Sequence, residues 1–216
     1  MDNSKKIILE NIDEKWFKSI SSKKRDIFYL VIKRTIDIIL GSIGFIIFAI
    51  CLPFFALATK LDSKGPVFYC HYRVGKNGKL FNLYKFRSMH DNSAKDEKTW
   101  REKDVSSVTR VGKFLRRTHL DELPQAINIL KGDISFVGPR AEWVEFAKVF
   151  EKEIPFYKYR YLVKPGLIGW AQINYPPSKS VNEAREKFEY DLYYIKNQSI
   201  LLDLEIIIKS PKLFLW

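Results

Sequence analysis

The sequence predicts an α+β, helix-dominated domain attached to a membrane. Three observations lead there. Several stretches repeat apolar residues at helical spacing, one Gly-Lys-Asn-Gly turn joins two alternating stretches, and an unbroken apolar run has bilayer length. The expected division is a polar, basic leader at 1–32, a membrane segment at 33–60 and a cytoplasmic domain at 61–216.

The leader is charged and ends in Lys23-Lys24-Arg25, as a solvated, partly helical segment would; lying on anionic headgroups is the alternative. Asp2, Glu10, Asp13 and Glu14 argue against the basic start of a cleavable signal. From Ile36 to Thr59 the chain is apolar apart from Asp37 and small hydroxyls, and it reaches the roughly 20 residues a bilayer requires. Lys33 and Arg34 precede this run while Lys60 and Lys64 follow it, so the positive-inside rule puts both ends on the cytoplasmic side. Pro53 lacks the N–H that a straight helix would use. These features predict a re-entrant helix broken at Pro53, with Asp37 near the interface and paired with Arg34 or another cation.

Alternation in VFYCHYRVG and KLFNLYKFRSM, joined by Gly75–Gly78, predicts a β-hairpin. Lys85 and Arg87 share one face of its second strand, suiting either phosphate or solvent. Residues 90–107 are polar and read as a linker or lid. Thr109 opens a short helical stretch expected to turn Val111, Phe114 and Leu115 inward. Leu120, Leu123, Ile127 and Leu130 then recur at helical spacing, placing Asp121 and Glu122 in a first turn, with Pro124 tolerated there. Helix capping alone would explain the two acids. Their company favours chemistry instead: Arg110, Lys113, Arg116, Arg117, Lys131, Asp133 and Arg140 lie in the same segment. Acids that hold a divalent ion or attack phosphorus, beside cations that take up phosphate charge, are what a polyphosphate reaction needs.

Residues 142–153 form an amphipathic helix with Trp143, Phe146, Ala147 and Phe150 on one face. Lys164-Pro165-Gly166 opens a turn before GWAQIN, read as a strand or as a stacking surface with amide groups. Residues 182–196 are helical, Ser199 caps a last apolar helix, and that helix with the LFLW tail suits the membrane interface.

Composition narrows the partners. With 37 Lys and Arg against 25 Asp and Glu, the net charge of +12 favours nucleic acid, anionic lipids or phosphorylated substrates. A nucleic-acid-binding module fits the charge but has no use for the apolar run. Two cysteines, one of them Cys51 inside that run, provide no disulfide framework, and three scattered histidines provide no zinc site.

The segments KRTIDIIL, RVGKNGKLFNLYKFRSM, TRVGKFLRRTHLDELPQAINILKGDISFVGPR, VKPGLIGWAQIN and FEYDLYYIKNQSILLDLEIII closely resemble the bacterial sugar transferase family, from about Lys33 to Ile208. These are monotopic polyprenyl-phosphate phosphoglycosyl transferases, held in the bacterial inner membrane with the catalytic domain facing the cytoplasm. They initiate capsule, exopolysaccharide or glycoprotein glycan assembly. The resemblance implies transfer of a sugar 1-phosphate from a UDP-sugar to undecaprenyl phosphate with release of UMP. It implies Asp121 as the nucleophile of a ping-pong scheme, with Mg²⁺ at the Asp121-Glu122 pair and the metal-holding acid left open. It assigns Arg73, Lys85, Arg117 and Arg140 to substrate phosphates, and Arg34, Asp37 and Pro53 to the membrane helix. Anionic membrane lipids are expected partners, nucleic acid is not, and a homodimer is left open.

Four departures stand out from the family pattern. Ala141 replaces the second Pro of Gly-Pro-Arg-Pro and is expected to loosen the turn that aims Arg140. Leu52 replaces a common Ser before Pro53, His71 stands where Gln is frequent, and Tyr175-Pro176 replaces Gly-Arg, which bears on substrate choice.

Overall fold

A computed structural model of the chain describes residues 5–22, 26–90, 107–178 and 180–211. The first helix, α1 (Glu14–Ser22), is followed by a much longer one, α2 (Ile27–Asp62), against which the rest of the molecule is laid. One stripe of α2 carries all the attachment. Arg34 donates from both terminal nitrogens to the carbonyls of Ile129 and Leu130, each at 2.7 Å. The buried Asp37 carboxylate accepts from the Ser135 hydroxyl and the Phe136 N–H, each at 2.8 Å. Phe48 joins Phe86 and Leu115 in an apolar cluster, and the Asp62 carboxylate accepts from Val111 N–H at 2.7 Å. These anchors are 3, 11 and 14 residues apart, close to whole numbers of helical turns, so they share one helical face. From Asp37 to Asp62 they run about 38 Å along the body. The opposite face leaves Ile39, Ile43, Ile46, Ile50, Phe54 and Leu57 exposed.

Two expectations for this helix are corrected. It does not break at Pro53, because α2 is one helix through that residue. A proline removes a single donor, and contacts on both sides of it, from Phe48 before to Phe55 and Asp62 after, hold both halves against the same body. Arg34 and Asp37 do not pair with each other either. Arg34 satisfies carbonyls at a helix C-terminus while Asp37 satisfies donors at a strand, and this answers for the cost of burying both. Leu52 serves the apolar cluster around Phe48.

The hairpin forms as expected. Strands β1 (Phe68–Val74) and β2 (Leu80–Phe86) are antiparallel, with Phe68 opposite Phe86 and Val74 opposite Leu80. Thr109 then caps α3 (Arg110–Arg117), its hydroxyl accepting from Gly112 N–H at 2.9 Å. Leu115 is buried as expected, but Phe114 points outward and is 54% exposed. Of the expected lid, residues 91–106 lie outside the described residues.

The acids fall in a 3-10 turn, Leu120–Glu122, one turn ahead of α4 (Gln125–Lys131) rather than in its first turn. His119 enters the left-handed region (φ 55°) and redirects the chain, and Pro124, lacking an N–H, starts the new helix. Gly132 closes α4 in the left-handed conformation its C-terminus needs. Strand β3 (Ser135–Val137) pairs in parallel with β4 (Gly166–Ile168), so close that a Cβ on Gly166 would stand 2.0 Å from Gly138 N.

Helix α5 (Val144–Glu153) and a 3-10 segment (Tyr157–Leu162) lie between those strands in sequence. The GWAQIN run is a short helix, α6 (Trp170–Asn174), not a strand, because the N–H groups of Gln172 and Ile173 turn back onto the Gly169 carbonyl. Trp170 is buried and donates to the Lys5 carbonyl, so it offers no stacking surface. Helix α7 (Val181–Lys196) and α8 (Ile200–Lys209), capped by Ser199, complete the body. Leu201, Leu204 and Ile208 on α8 are exposed, adding to the apolar surface of α2; the LFLW tail lies outside the described residues.

The leader is not a separate solvated segment. Leu9 and Phe17 are buried with Phe150, Tyr157 and Phe188, and Lys6 pairs with Glu189 at 3.1 Å. The charges of the leader hide two apolar side chains that need covering. Replacing Phe17, which is fully buried, by Ala is expected to cost about 3–5 kcal/mol in denaturant unfolding of the detergent-solubilised chain. A change under about 1 kcal/mol would show that residues 5–22 do not belong to the core.

Candidate active site

Strand β2 has to be fixed before it can present Lys85, and Asn128 on α4 does this. Its side chain accepts from Tyr84 N–H at 3.1 Å and donates to the Asn82 carbonyl at 2.7 Å, while Asp133 holds the same amide at 3.0 Å. Asn128 is completely buried, so β2 and α4 are locked in register. Lys85 then reaches across to the acids, 2.5 Å from a Glu122 oxygen and 3.8 Å from Asp121.

A cavity of about 410 Å³ opens where the hairpin, the 3-10 turn and the loop before α5 meet. Asp121 and Glu122 form its floor, and Arg73, Lys85, Arg116 and Arg140 supply cations around it. Arg140 approaches the same Glu122 oxygen as Lys85, at 3.4 Å. Arg73 is buried, donates to the Ala141 carbonyl at 3.2 Å and lies 4.8 Å over the Trp143 ring. Burial and the neighbouring Arg140 push its guanidinium down to about 10.

The two acids differ sharply. Burial acts to raise both carboxyls. At Glu122 the cations Lys85 and Arg140 outweigh it and hold the group well below the usual carboxylate range. At Asp121 burial wins over the more distant Lys85, and with Glu122 beside it the carboxyl is raised. Neighbouring acids pushed in opposite directions point to different tasks. Capping does not explain them, since neither the 3-10 turn nor α4 has a side-chain cap.

Of the phosphate-binding residues expected from the sequence, Arg73, Lys85 and Arg140 converge on this cavity and Arg117 does not. Arg117 is exposed on α3, and its neighbour Arg116 lines the cavity instead, donating to the Ser88 hydroxyl at 2.7 Å. One residue turns a helix by about 100°, so only one of the pair can face inward. Arg87 serves structure, tying its guanidinium to the carbonyls of Ser63 and Lys64 at the end of α2.

Sequence reasoning also missed a buried support behind Arg140. Arg160 bonds Asp191 at 2.7 Å and approaches Glu142 at 3.3 Å. Asp191 sits between Phe188 and Ile195 on the apolar face of α7, and a charged residue on such a face is the signal that was there to read. The His71 ring lies tilted against Trp143, a lining residue of the cavity, with centroids 4.2 Å apart.

Asp121 and Glu122 side by side offer hard oxygen donors. That suits Mg²⁺, which commonly takes one or two carboxylates and completes its shell with substrate phosphate and water. Among the described residues no group of three or more His, Cys, Asp or Glu could hold a metal alone, so any ion here would rely on the substrate.

The family described as "Bacterial sugar transferase" matches residues 28–216. The chain is 43% identical over 187 residues to UDP-N-acetylgalactosamine-undecaprenyl-phosphate N-acetylgalactosaminephosphotransferase of Aeromonas hydrophila, covering 87% of this chain and 44% of that protein. It is 43% identical over 180 residues to UDP-glucose:undecaprenyl-phosphate glucose-1-phosphate transferase of Klebsiella pneumoniae, covering 82% and 39%. The chain thus spans less than half the length of these two relatives. It is also 40% identical to the exopolysaccharide production protein PSS of Rhizobium leguminosarum bv. phaseoli, covering 82% of this chain and 92% of that protein.

The ion cluster carries its own test. Replacing Lys85 by Met removes the nearest cation from Glu122, so the Glu122 carboxyl should titrate higher, toward the ordinary range. The ¹³C shift of labelled glutamate carboxyls followed against pH reads this directly. In the parent chain the folded-state pKa lies below the unfolded value. Its stabilisation is therefore present at neutral pH and lost only as strong acid protonates Glu122. An unmoved titration would remove Lys85 from the account.

Proposed function

The chain belongs to the bacterial sugar transferase family, and on that premise we propose that it transfers a sugar 1-phosphate from a UDP-sugar to undecaprenyl phosphate, releasing UMP. The observation that carries this is a pair of acids with opposed environments, set in one cavity with Arg73, Lys85, Arg116 and Arg140. The printed activities of the Aeromonas and Klebsiella relatives are of the same kind.

The transfer proceeds in two displacements. An Asp121 carboxylate oxygen attacks the phosphorus that carries the sugar, and the bond to the second phosphate breaks, so UMP leaves with the electron pair. An oxygen of the lipid phosphate then attacks the same phosphorus, the acyl phosphate bond breaks, and the Asp121 carboxylate is restored. The raised Asp121 carboxyl is the more basic and hence the better nucleophile. Glu122, kept ionised, holds Lys85 and Arg140 where charge accumulates on phosphate oxygens. Mg²⁺ held at Asp121 and Glu122 would neutralise further diphosphate charge.

The acceptor is lipid-borne, and the exposed face of α2 with Leu201 and Ile208 of α8 supports seating in a membrane. Basic residues at both ends of α2 favour entry from the cytoplasmic side without crossing, because one body grips both ends of the helix. In such a seat the cavity stays on the side where UDP-sugars are made.

A detergent-solubilised preparation assayed for UMP across a panel of UDP-sugars tests the reading. Asp121→Asn should lower turnover by about a thousandfold or more, and retention of full turnover would dismiss Asp121 as the nucleophile. Treatment with EDTA should stop UMP release and added Mg²⁺ restore it. Turnover that survives chelation would remove the metal from the scheme.

A further inference from the structure

Glu142 is out of place among the cations of the active-site cavity. It lines that cavity two residues beyond Arg140, with a side chain 17% exposed. A carboxylate there repels any phosphate that enters, so attraction to substrate does not account for it. Its surroundings do. Arg160 approaches one of its oxygens at 3.3 Å, and Lys187 of α7, Arg73 and Arg140 act on it as well. Burial acts to raise the Glu142 carboxyl, but these four cations, Arg160 first, outweigh it and hold the group below the usual carboxylate range. The two cavity arginines need such a neighbour. Arg73 is buried, lies over the Trp143 ring, donates to the Ala141 carbonyl and is repelled by Arg140. Two guanidinium groups confined together turn apart unless an anion stands by both. Glu122 meets Arg140 at 3.4 Å, and of Glu122 and Glu142 it is Glu142 that acts more strongly on Arg73. Glu142 is itself fixed from outside the cavity. Its partner Arg160, 4% exposed, is held by Asp191 at 2.7 Å and by the Tyr157 hydroxyl at 3.1 Å, and the Glu142 carbonyl accepts from Val74 N–H at 3.1 Å.

From this geometry we infer that Glu142 is a positioning residue: held by the Arg160–Asp191 pair, it keeps the Arg73 and Arg140 guanidinium groups together in the cavity, ready for a diphosphate. The role rests on the reaction proposed above for the identity of that ligand. Glu142 touches no reacting atom and acts through the two arginines. One unit of repelling charge is offset by two cations whose directions are already set when the ligand arrives, so little reorganisation is left for the binding step.

The test is calorimetric binding of methylene diphosphonate, a diphosphate that cannot be hydrolysed, to the detergent-solubilised full chain with EDTA present. Glu142→Gln removes the charge and keeps the shape, which separates position from field. Field alone predicts tighter binding, because a repelling charge has gone. Positioning predicts the reverse, binding weakened by about tenfold. Asp191→Asn should weaken binding by about threefold, and the double variant should bind no worse than Glu142→Gln, since Asp191 acts through Glu142. Unchanged or tighter binding by Glu142→Gln overturns the inference, and so do losses that add in the double variant. Should Glu142→Gln fail to fold, Asp191→Asn decides alone, and unchanged or tighter binding by it overturns the inference. UMP release from UDP-sugars is measured separately. Its absence, with Glu142-dependent diphosphonate binding intact, would dismiss the proposed reaction and leave Glu142 as the organiser of a diphosphate site.

Discussion

The rest of the structure depends on one stripe of α2. A helix that is apolar almost throughout would ordinarily be free to bury any face in lipid. Here Arg34, Asp37, Phe48 and Asp62 are committed to α4, β3, the hairpin and α3. Hydrogen bonds between charged side chains and backbone groups are individually worth about 1.5–3 kcal/mol, and they lose that worth if the helix rotates. The rotation of α2 is thereby fixed, and with it the apolar face left exposed. The same contacts hold α4, and through Asn128 they hold β2. The position of Lys85 relative to the acids thus traces back to the attachment of α2.

At the acids, the deciding quantity is distance to a cation. Two carboxyls one residue apart feel similar burial, yet the 2.5 Å approach of Lys85 to Glu122 against 3.8 Å to Asp121 is enough to separate them. Arg140 adds to the same side. Coulomb attraction in a half-buried site falls off steeply over such distances, so a small asymmetry in geometry becomes a large one in basicity. Asp121 is left the more basic acid, and Glu122 holds the cations beside it.

Much of this was legible in the sequence, and the rest was hidden for identifiable reasons. The hairpin was readable because Gly75–Gly78 interrupts two alternating runs, and the caps at Thr109 and Ser199 because each hydroxyl precedes an apolar period. Asp121, Glu122, Lys85 and Arg140 could be gathered from motif resemblance. Arg116 could not be told from Arg117, since choosing between adjacent helical residues requires the rotation of α3, which tertiary contacts set. The burial of Phe17 was masked by the charges around it. The continuity of α2 through Pro53 depends on partners on the body, which no local rule sees.

The loss of the proline after Arg140 can now be weighed against what replaces it. A proline would restrict the backbone there, and Ala141 gives up that restriction. The turn is nonetheless clamped from several directions. The Pro139 carbonyl accepts from Gly166 N–H at 2.8 Å, the Ala141 carbonyl accepts from Arg73, and the Glu142 carbonyl accepts from Val74 N–H at 3.1 Å. Behind it, Arg160 secures the Glu142 side chain. Ala141 itself is buried against the cluster of Phe81 and Ile129, where the side chain has little room to move. The turn that aims Arg140 is therefore held by its neighbours rather than by its own sequence, and the expected loosening at Ala141 does not arise. The buried Arg160–Asp191 pair thus stands, through Glu142, behind the loop that aims the Arg140 guanidinium at Glu122.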